Sequence, residues 1–200
     1  MKLSLNALIY TVFIDPLLSG LRESVIKKVP ESSNVIDIAC GTGKLAIFIS
    51  VKAGHVTGID LDEKLIKFAD YRARKKGISN LTFKVQDATH LSAYPDGEFD
   101  IAVTSMAVHQ FKEDLAIKIL REIKRISRKV IIADYNCPMP SGFSKSFAYG
   151  IESIVKGDHH RNFMNYMSRG GISWFAGSAG LTIQSSELRG NGVFKVAVCK

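Results

Sequence analysis

The amino-acid sequence predicts an α/β fold: a mostly parallel sheet of seven strands, covered by helices on both faces and closed by an antiparallel hairpin. Three observations carry this expectation. Short apolar runs rich in β-branched residues alternate with amphipathic stretches of helical length from Asn34 to Tyr135. That rhythm stops at residues 136–172, where Pro138, Pro140 and several glycines crowd together. Two strand-like runs then flank Gly190-Asn191-Gly192, a turn suited to a hairpin.

The first element reads as a helix with Asp15 as N-cap, Pro16 at the first helical position and Leu17, Leu21 and Val25 on one face. "NVIDIA" is too short for a helix and reads as a buried strand, followed by a helix over "GKLAIFISVKAG" that ends near Gly54. "HVTGID" is the second strand. "DEKLIKFADYRARKKG" is a helix with Leu65, Ala69 and Ala73 inward and Gly77 as its stop. "LTFKVQ" and "FDIAVTSM" are the third and fourth strands, "EDLAIKILREIKRI" a helix and "KVIIADY" the fifth strand. Short helices are expected in "SKSFAYGIESIVKG" and "HRNFMNYM", inside an insertion before the closing strands "LTIQSSEL" and "VFKVAV".

With 200 residues, 46% of them hydrophobic, and no repeat or linker, the chain reads as one domain, 1–200, with residues 1–30 a leading helical segment. Residues 136–172 are expected to form part of a substrate lid. Cys40, Cys137 and Cys199 have no C-x-x-C spacing, which argues against a disulfide framework and a zinc site. The apolar start lacks a small-x-small cleavage site and is too short to span a bilayer, so a cytoplasmic protein is expected. The net charge of +8 permits an anionic partner, yet its lysines and arginines concentrate in "YRARKKG" and "REIKRISRK", which read as solvated helix C-termini.

The chemistry concentrates in "VIDIACGTGKLA", residues 35–46. Glycines between a strand and a helix let backbone approach a ligand, and N–H groups at the helix start offer donors to an anion. Gly41-x-Gly43-x-x-Ala46 formally fits a dinucleotide fingerprint, and Asp60 lies where an acid would grip a ribose hydroxyl. Asp37 stands inside the buried strand. A bare carboxylate there is costly, so a cationic ligand group would suit it.

These residues resemble the class I S-adenosylmethionine-dependent methyltransferases, whose fold is a Rossmann-like three-layer sandwich. The resemblance runs from Val35 onward through "VIDIACGTG", "VTGIDLD", "VQDATHL" and "FDIAVTSMAVHQF". It implies S-adenosyl-L-methionine as cofactor, with the turn at Ala39, Gly41, Thr42 and Gly43 around its methionine part and Asp37 nearby. It further implies Asp60 on the ribose, Leu61 beside the adenine, Asp87 on the adenine amino group and the Ala88 N–H on the ring. Thr104 would line the methionine end. Ala39 departs from the family's usual glycine. A looser similarity to the quinone-biosynthesis methyltransferases implies a small-molecule acceptor, apolar or quinone- or lipid-like.

His109 follows the fourth strand, where the acceptor would lie, and is either a general base or a structural histidine orienting the loop. Adjacent His159 and His160 do not share a helix face, so no metal is expected and a solvated loop or substrate lid is the reading. Tyr10 and Phe13 either close over the cofactor or pack the leading segment. Phe143, Phe147, Tyr149, Phe163, Tyr166 and Trp174 are either core or the wall of an apolar acceptor pocket. A nucleic-acid methyltransferase is disfavoured, because the fourth motif lacks the polar-Pro-Pro-aromatic signature and no Pro-Cys nucleophile is present. A non-catalytic cofactor-binding module and a nicotinamide dehydrogenase are the remaining alternatives, the latter opposed by Asp37 and Asp87. The acceptor atom and the oligomeric state do not follow from the sequence.

Overall fold

The computed structural model describes residues 18–154 and 158–200. The expected cap at Asp15-Pro16 and the packing of Tyr10, Phe13 and Leu17 lie outside the described residues. Helix α1, Ser19–Lys28, buries Leu21 and Val25, as the sequence pattern requires.

Strands β1 (Asn34–Ile38), β2 (His55–Asp60), β3 (Leu81–Val85), β4 (Phe99–Ser105) and β5 (Ser127–Tyr135) are parallel. They are joined to α2 (Lys44–Ile49), α3 (Glu63–Lys75) and α4 (Glu113–Ile126). After β5 come α5 (Phe143–Ile154), α6 (Asp158–Arg169) and α7 (Ile172–Ser178), then β6 (Ile183–Arg189) and β7 (Phe194–Cys199). The sheet order is β3-β2-β1-β4-β5-β7-β6, and β7 runs antiparallel to both β5 and β6. The hairpin therefore folds back so that its second strand, not its first, joins the parallel sheet. The alternation-based reading is borne out as an α/β Rossmann-like sheet of seven strands.

Burial explains the strand compositions. Val35, Ile36 and Ile38 of β1, and Val130, Ile131 and Ile132 of β5, are all 0–1% exposed, because helices cover both sheet faces. Edge strand β3 alternates instead. Helix α3 begins where Asp62 accepts the N–H groups of Lys64 and Leu65, and it stops before Gly77 at φ +67°. Its inward set is Ile66, Ala69 and Ala73; Leu65 is only half-buried. The helix turns Leu65 towards a cavity, which a core-only reading of the spacing misses.

Two of the basic residues expected to be merely solvated hold loops instead. Arg125 donates to the carbonyls of Leu91 (3.0 Å) and Tyr94 (2.9 Å) and pairs with Asp96 and Glu122, stapling the β3–β4 connection. Arg72 Nη1 donates to the Thr42 carbonyl at 3.2 Å, bracing the turn after β1. Among the described residues, no helix is long and apolar enough to cross a membrane.

The strand order reverses direction between β1 and β4. In parallel sheets the loops diverge at such a point and leave a crevice at the carboxyl ends of the strands. The chain puts its glycine turn there.

Candidate cofactor and acceptor site

The crevice is a cavity of about 460 Å³, with Asp37, Ala39, Cys40, Gly41, Thr42 and Asp60 on one wall and Ser105, Met106, Ala107, Gln110 and Phe111 on the other. Leu18, just before α1, Arg22 of α1, Lys44 and Leu65 complete it.

The turn is built from left-handed backbone: φ is +56° at Ala39, +54° at Gly41 and +69° at Gly43. The two glycines serve different ends. A Cβ at Gly43 would lie 2.4 Å from Phe83 Cζ and 2.7 Å from Ala69 Cβ, so this glycine admits close packing of the turn on β3 and α3. A Cβ at Gly41 would meet nothing within 4 Å, because Gly41 faces the open cavity. Ala39 adopts a conformation that favours glycine, which is the physical reason glycine would suit this position.

Asp60 ties the turn to β2. Its Oδ2 accepts the Gly41 N–H at 2.8 Å and its Oδ1 accepts the Asp62 N–H at 3.0 Å. The Gly41 N–H, expected to face an anionic ligand, is thus engaged by the chain's own carboxylate. Each oxygen of Asp60 keeps lone-pair capacity for a hydroxyl donor.

Asp37 is 2% exposed, and its Oδ2 has no hydrogen-bond partner among the described residues. Burial, reinforced by repulsion from Asp60 and only partly offset by a hydrogen bond from the Ala46 backbone, pushes its pKa up to about 8. Burial and the same two carboxylates also push the Cys40 thiol far up, so Cys40 is no nucleophile.

Five of the expected cofactor residues, Asp37, Ala39, Gly41, Thr42 and Asp60, share this wall. The others stand elsewhere. Gly43 packs beneath the turn, Leu61 is 68% exposed, and Thr104 is 2% exposed in β4 while its neighbour Ser105 faces the cavity. Asp87 caps its own turn, accepting the Thr89 N–H and hydroxyl at 2.8 Å each, and those bonds hold its pKa below the usual carboxylate range. Ala88 packs against the core.

His109 is turned away from the cavity, 1% exposed, with Nδ1 2.6 Å from Asp134 Oδ1 and its backbone N–H on Asp134 Oδ2 at 3.2 Å. Burial opposes charge on the ring, but Asp134 and then Glu152 outweigh it and hold the pKa above that of an ordinary histidine. Its two neighbours on the cavity wall, Ala107 and Gln110, are what the turn presents to an acceptor. The expectation of a solvated loop at His159 and His160 is corrected: both lie in the first turn of α6, and His159 Nε2 is 2.5 Å from Glu152 Oε2. The aromatic set divides along the same line. Phe163 and Tyr166 are fully buried core and Tyr149 packs edge-on against Phe163 at 5.1 Å, while Trp174 stands edge-on to Phe175 at 4.9 Å. None of these four lines the cavity. The side chains of Phe143 and Phe147 lie outside those described.

Ser105, Gln110 and Phe111 fall in the stretch after Thr104 that the resemblance turns toward the acceptor, whereas sequence reasoning missed Arg22 and Lys44 as wall residues. The signal for Lys44 was its place directly after Gly43; Arg22 reaches the cavity only because α1 packs across the sheet.

S-adenosylmethionine, the cofactor implied by the resemblance, fits these residues. The unpartnered oxygen of buried Asp37 calls for a cation, Asp60 can accept from a diol, and the space beside Gly41 is open.

Residues 35–129 match the family described as the methyltransferase domain. The chain is 30% identical over 114 residues to the demethylmenaquinone methyltransferase of Lactobacillus johnsonii, covering 54% of this chain and 46% of that protein. It is also 30% identical over 104 residues to the ribosomal protein L11 methyltransferase of Thermotoga petrophila, covering 52% of this chain and 36% of that one. The chain thus spans less than half the length of these curated relatives. Among solved structures, a SAM-dependent methyltransferase from Aquifex aeolicus superimposes with a TM-score of 0.70 at 18% identity, covering 99% of each chain. That likeness is one of fold.

Proposed function

We propose that this chain carries a class I S-adenosylmethionine-dependent methyltransferase domain, as the match of residues 35–129 to the methyltransferase-domain family supports, and that it transfers a methyl group from that cofactor to a small, apolar acceptor of quinone- or lipid-like character. The observation that carries the reading is Asp37: a carboxylate buried without a full set of partners at the floor of a cavity that also holds Gly41 and Asp60. When bound, S-adenosylmethionine supplies an electrophilic methyl group already attached to a good leaving group, so the chain needs no covalent nucleophile.

The chain's own residues then bind and align. Asp37 offers negative charge to the cationic methionine part, Asp60 accepts the ribose hydroxyls, and Arg22 and Lys44 place positive charge in the same cavity for a carboxylate. Leu61, Asp87 and Ala88, which follow β2 and β3, would serve the adenine. Met106, Ala107 and Phe111 form an apolar wall that suits an apolar acceptor and excludes water. Proximity of this kind contributes on the order of 7–11 kcal/mol to well-oriented reactions. The relative from Lactobacillus johnsonii, by its name a demethylmenaquinone methyltransferase, favours a quinone-like acceptor. His109, with its ring in the interior, is assigned the orienting role: Asp134 holds both its ring and its backbone, and so fixes the turn that carries Ala107 and Gln110.

A further cavity, lined by Ser127, Val130 and Leu181 together with several basic residues, favours a small molecule over nucleic acid at the crevice. Lys124, Arg128, Lys129 and Lys200 gather there, at the amino end of β5, whereas the cofactor crevice opens at the carboxyl ends of the strands.

The test is a thermal-shift comparison of S-adenosylmethionine, S-adenosylhomocysteine and NAD on the full chain, with Asp60→Ala as control. At a hundred times its dissociation constant a ligand stabilises by about 2.7 kcal/mol. Stabilisation by the first two, absent in Asp60→Ala and absent with NAD, is the expected result; no shift with either refutes the reading. Turnover of S-adenosylmethionine with reduced quinones then separates an enzyme from a non-catalytic binding module.

A further inference from the structure

A second constellation lies outside the cofactor cavity. The 3₁₀ turn Val108–Gln110, helix α5 and helix α6 each send one side chain to the same point: His109, Glu152 and His159. Their ligand atoms all lie within 4.8 Å of one another. We propose that His109 Nε2, His159 Nε2 and the Glu152 carboxylate form a binding site for a divalent first-row transition-metal ion of the zinc class.

The hydrogen-bond partners around the three residues prepare them for that role. Asp134 Oδ1, 2.6 Å away, takes the Nδ1 side of His109. With the proton on Nδ1, the lone pair of Nε2 faces Glu152, whose Oε1 is 3.6 Å distant. A carboxylate behind a histidine that turns its other nitrogen to a metal is the usual outer support of such sites, fixing tautomer and ring orientation together. Tyr135 supports the acid in the same way, donating its hydroxyl to Glu152 Oε1 at 2.8 Å. The rings of Tyr135, Phe163 and Tyr166 stand 4.9–6.2 Å from the His109 ring and give the cluster an apolar shell.

The distances suit a small ion. Metal–nitrogen and metal–oxygen bonds of about 2.0–2.2 Å place tetrahedral neighbours roughly 3.3 Å apart. The His109–Glu152 separation of 3.6 Å is already close to this. The His159–Glu152 pair, at 2.5 Å, must open by less than about 1 Å, and the His159 side chain is 23% exposed, so it has room to move on the solvent side. Two imidazoles and one carboxylate select zinc, iron(II) or cobalt(II) over magnesium or calcium, which prefer all-oxygen sites. A fourth position remains for water.

The consequence is mechanical. An ion at this point joins α5 and α6 to the turn whose last residue, Gln110, and flanking Ala107 and Phe111 line the cofactor cavity. Metal loading would thereby order the acceptor side of the cavity, whichever methyl acceptor is used. The three ligands meet whether or not the chain transfers methyl groups, so the site is independent of that reading.

The experiment uses the full chain stripped with a chelator and titrated with Co²⁺, then Zn²⁺. The expected result is one Co²⁺ per chain with visible d–d absorption, displacement by Zn²⁺ and a raised melting temperature that the chelator reverses. His159→Ala should weaken binding at least 100-fold, Asp134→Asn by about 10–100-fold, and His55→Ala, at the exposed start of β2, not at all. Absence of stoichiometric Co²⁺ binding by wild-type chain that retains its far-ultraviolet circular dichroism overturns the proposal and leaves the cluster as a proton-filled ion-pair network. Unchanged affinity in His159→Ala overturns it equally.

Discussion

Replacing Asp37 with asparagine should remove a loss of heat resistance that the wild type suffers as the pH rises, while abolishing the response to S-adenosylmethionine. The wild-type carboxyl has a pKa of about 8 in the folded chain against an ordinary value of 3.8. Between those two values the folded state holds a proton that the unfolded state has released. Stability therefore falls with increasing pH across this window, by about 1.4 kcal/mol per unit, and levels off above the folded pKa. The amide of the Asp37→Asn variant does not titrate and has no such dependence. From pH 5 to pH 7 the stability of the variant relative to wild type should rise by about 3 kcal/mol, or roughly 5–10 °C for a chain of this size. An amide without a full set of partners at this site costs about 1–3 kcal/mol, which displaces the whole curve and leaves its slope unchanged. Other titrating groups are common to both proteins and cancel in the difference. Calorimetric melting of both proteins at half-unit intervals from pH 5 to 9 is the assay. A constant gap between pH 5 and pH 7 would refute the argument, since it would mean that Asp37 is ionised in the folded chain throughout.

The same pKa sets a binding signature: at pH 7 Asp37 is about nine-tenths protonated, and a cationic ligand should expel nearly one proton, measured as a buffer-dependent enthalpy in isothermal titration. Gly43→Ala should destabilise by about 2–4 kcal/mol, because the new methyl meets Phe83 and Ala69 and φ is +69°. Gly41→Ala meets no atom and should cost only about 1–2 kcal/mol from its backbone; equal losses in urea titrations of the two variants would contradict the division of labour between these glycines. Arg125→Ala removes the donors that hold the Leu91 and Tyr94 carbonyls and should cost about 1–3 kcal/mol, with faster amide exchange in residues 91–97 as the local readout.

How much of the site was legible follows from how local each interaction is. The turn at residues 39–43 could be recognised because its demands, glycine at positive φ and an acid in the preceding strand, are met within one short stretch of chain. Asp60 could be placed because it ends the adjacent strand, and β1 pairs with β2 in register up to Ile38 and Ile59. Asp87 accepts the Thr89 N–H in its own turn, a role its type alone could not distinguish from ligand binding. His109 presented the same problem. Its position after β4 left a general base and a structural histidine equally open, and Asp134, 25 residues later, draws the ring into the interior.

The sequence by itself determined the alternation of strands and helices, the glycine turn and the buried acid beside it, since periodicity and backbone conformation are set by neighbours a few residues apart. Only the tertiary structure decided that β7 and not β6 would join β5, that Arg22 and Phe111 would line one cavity with Gly41, and that His109, Glu152 and His159 would meet. Those outcomes depend on how whole elements pack, and packing is settled by the combined burial of many side chains far apart in the chain.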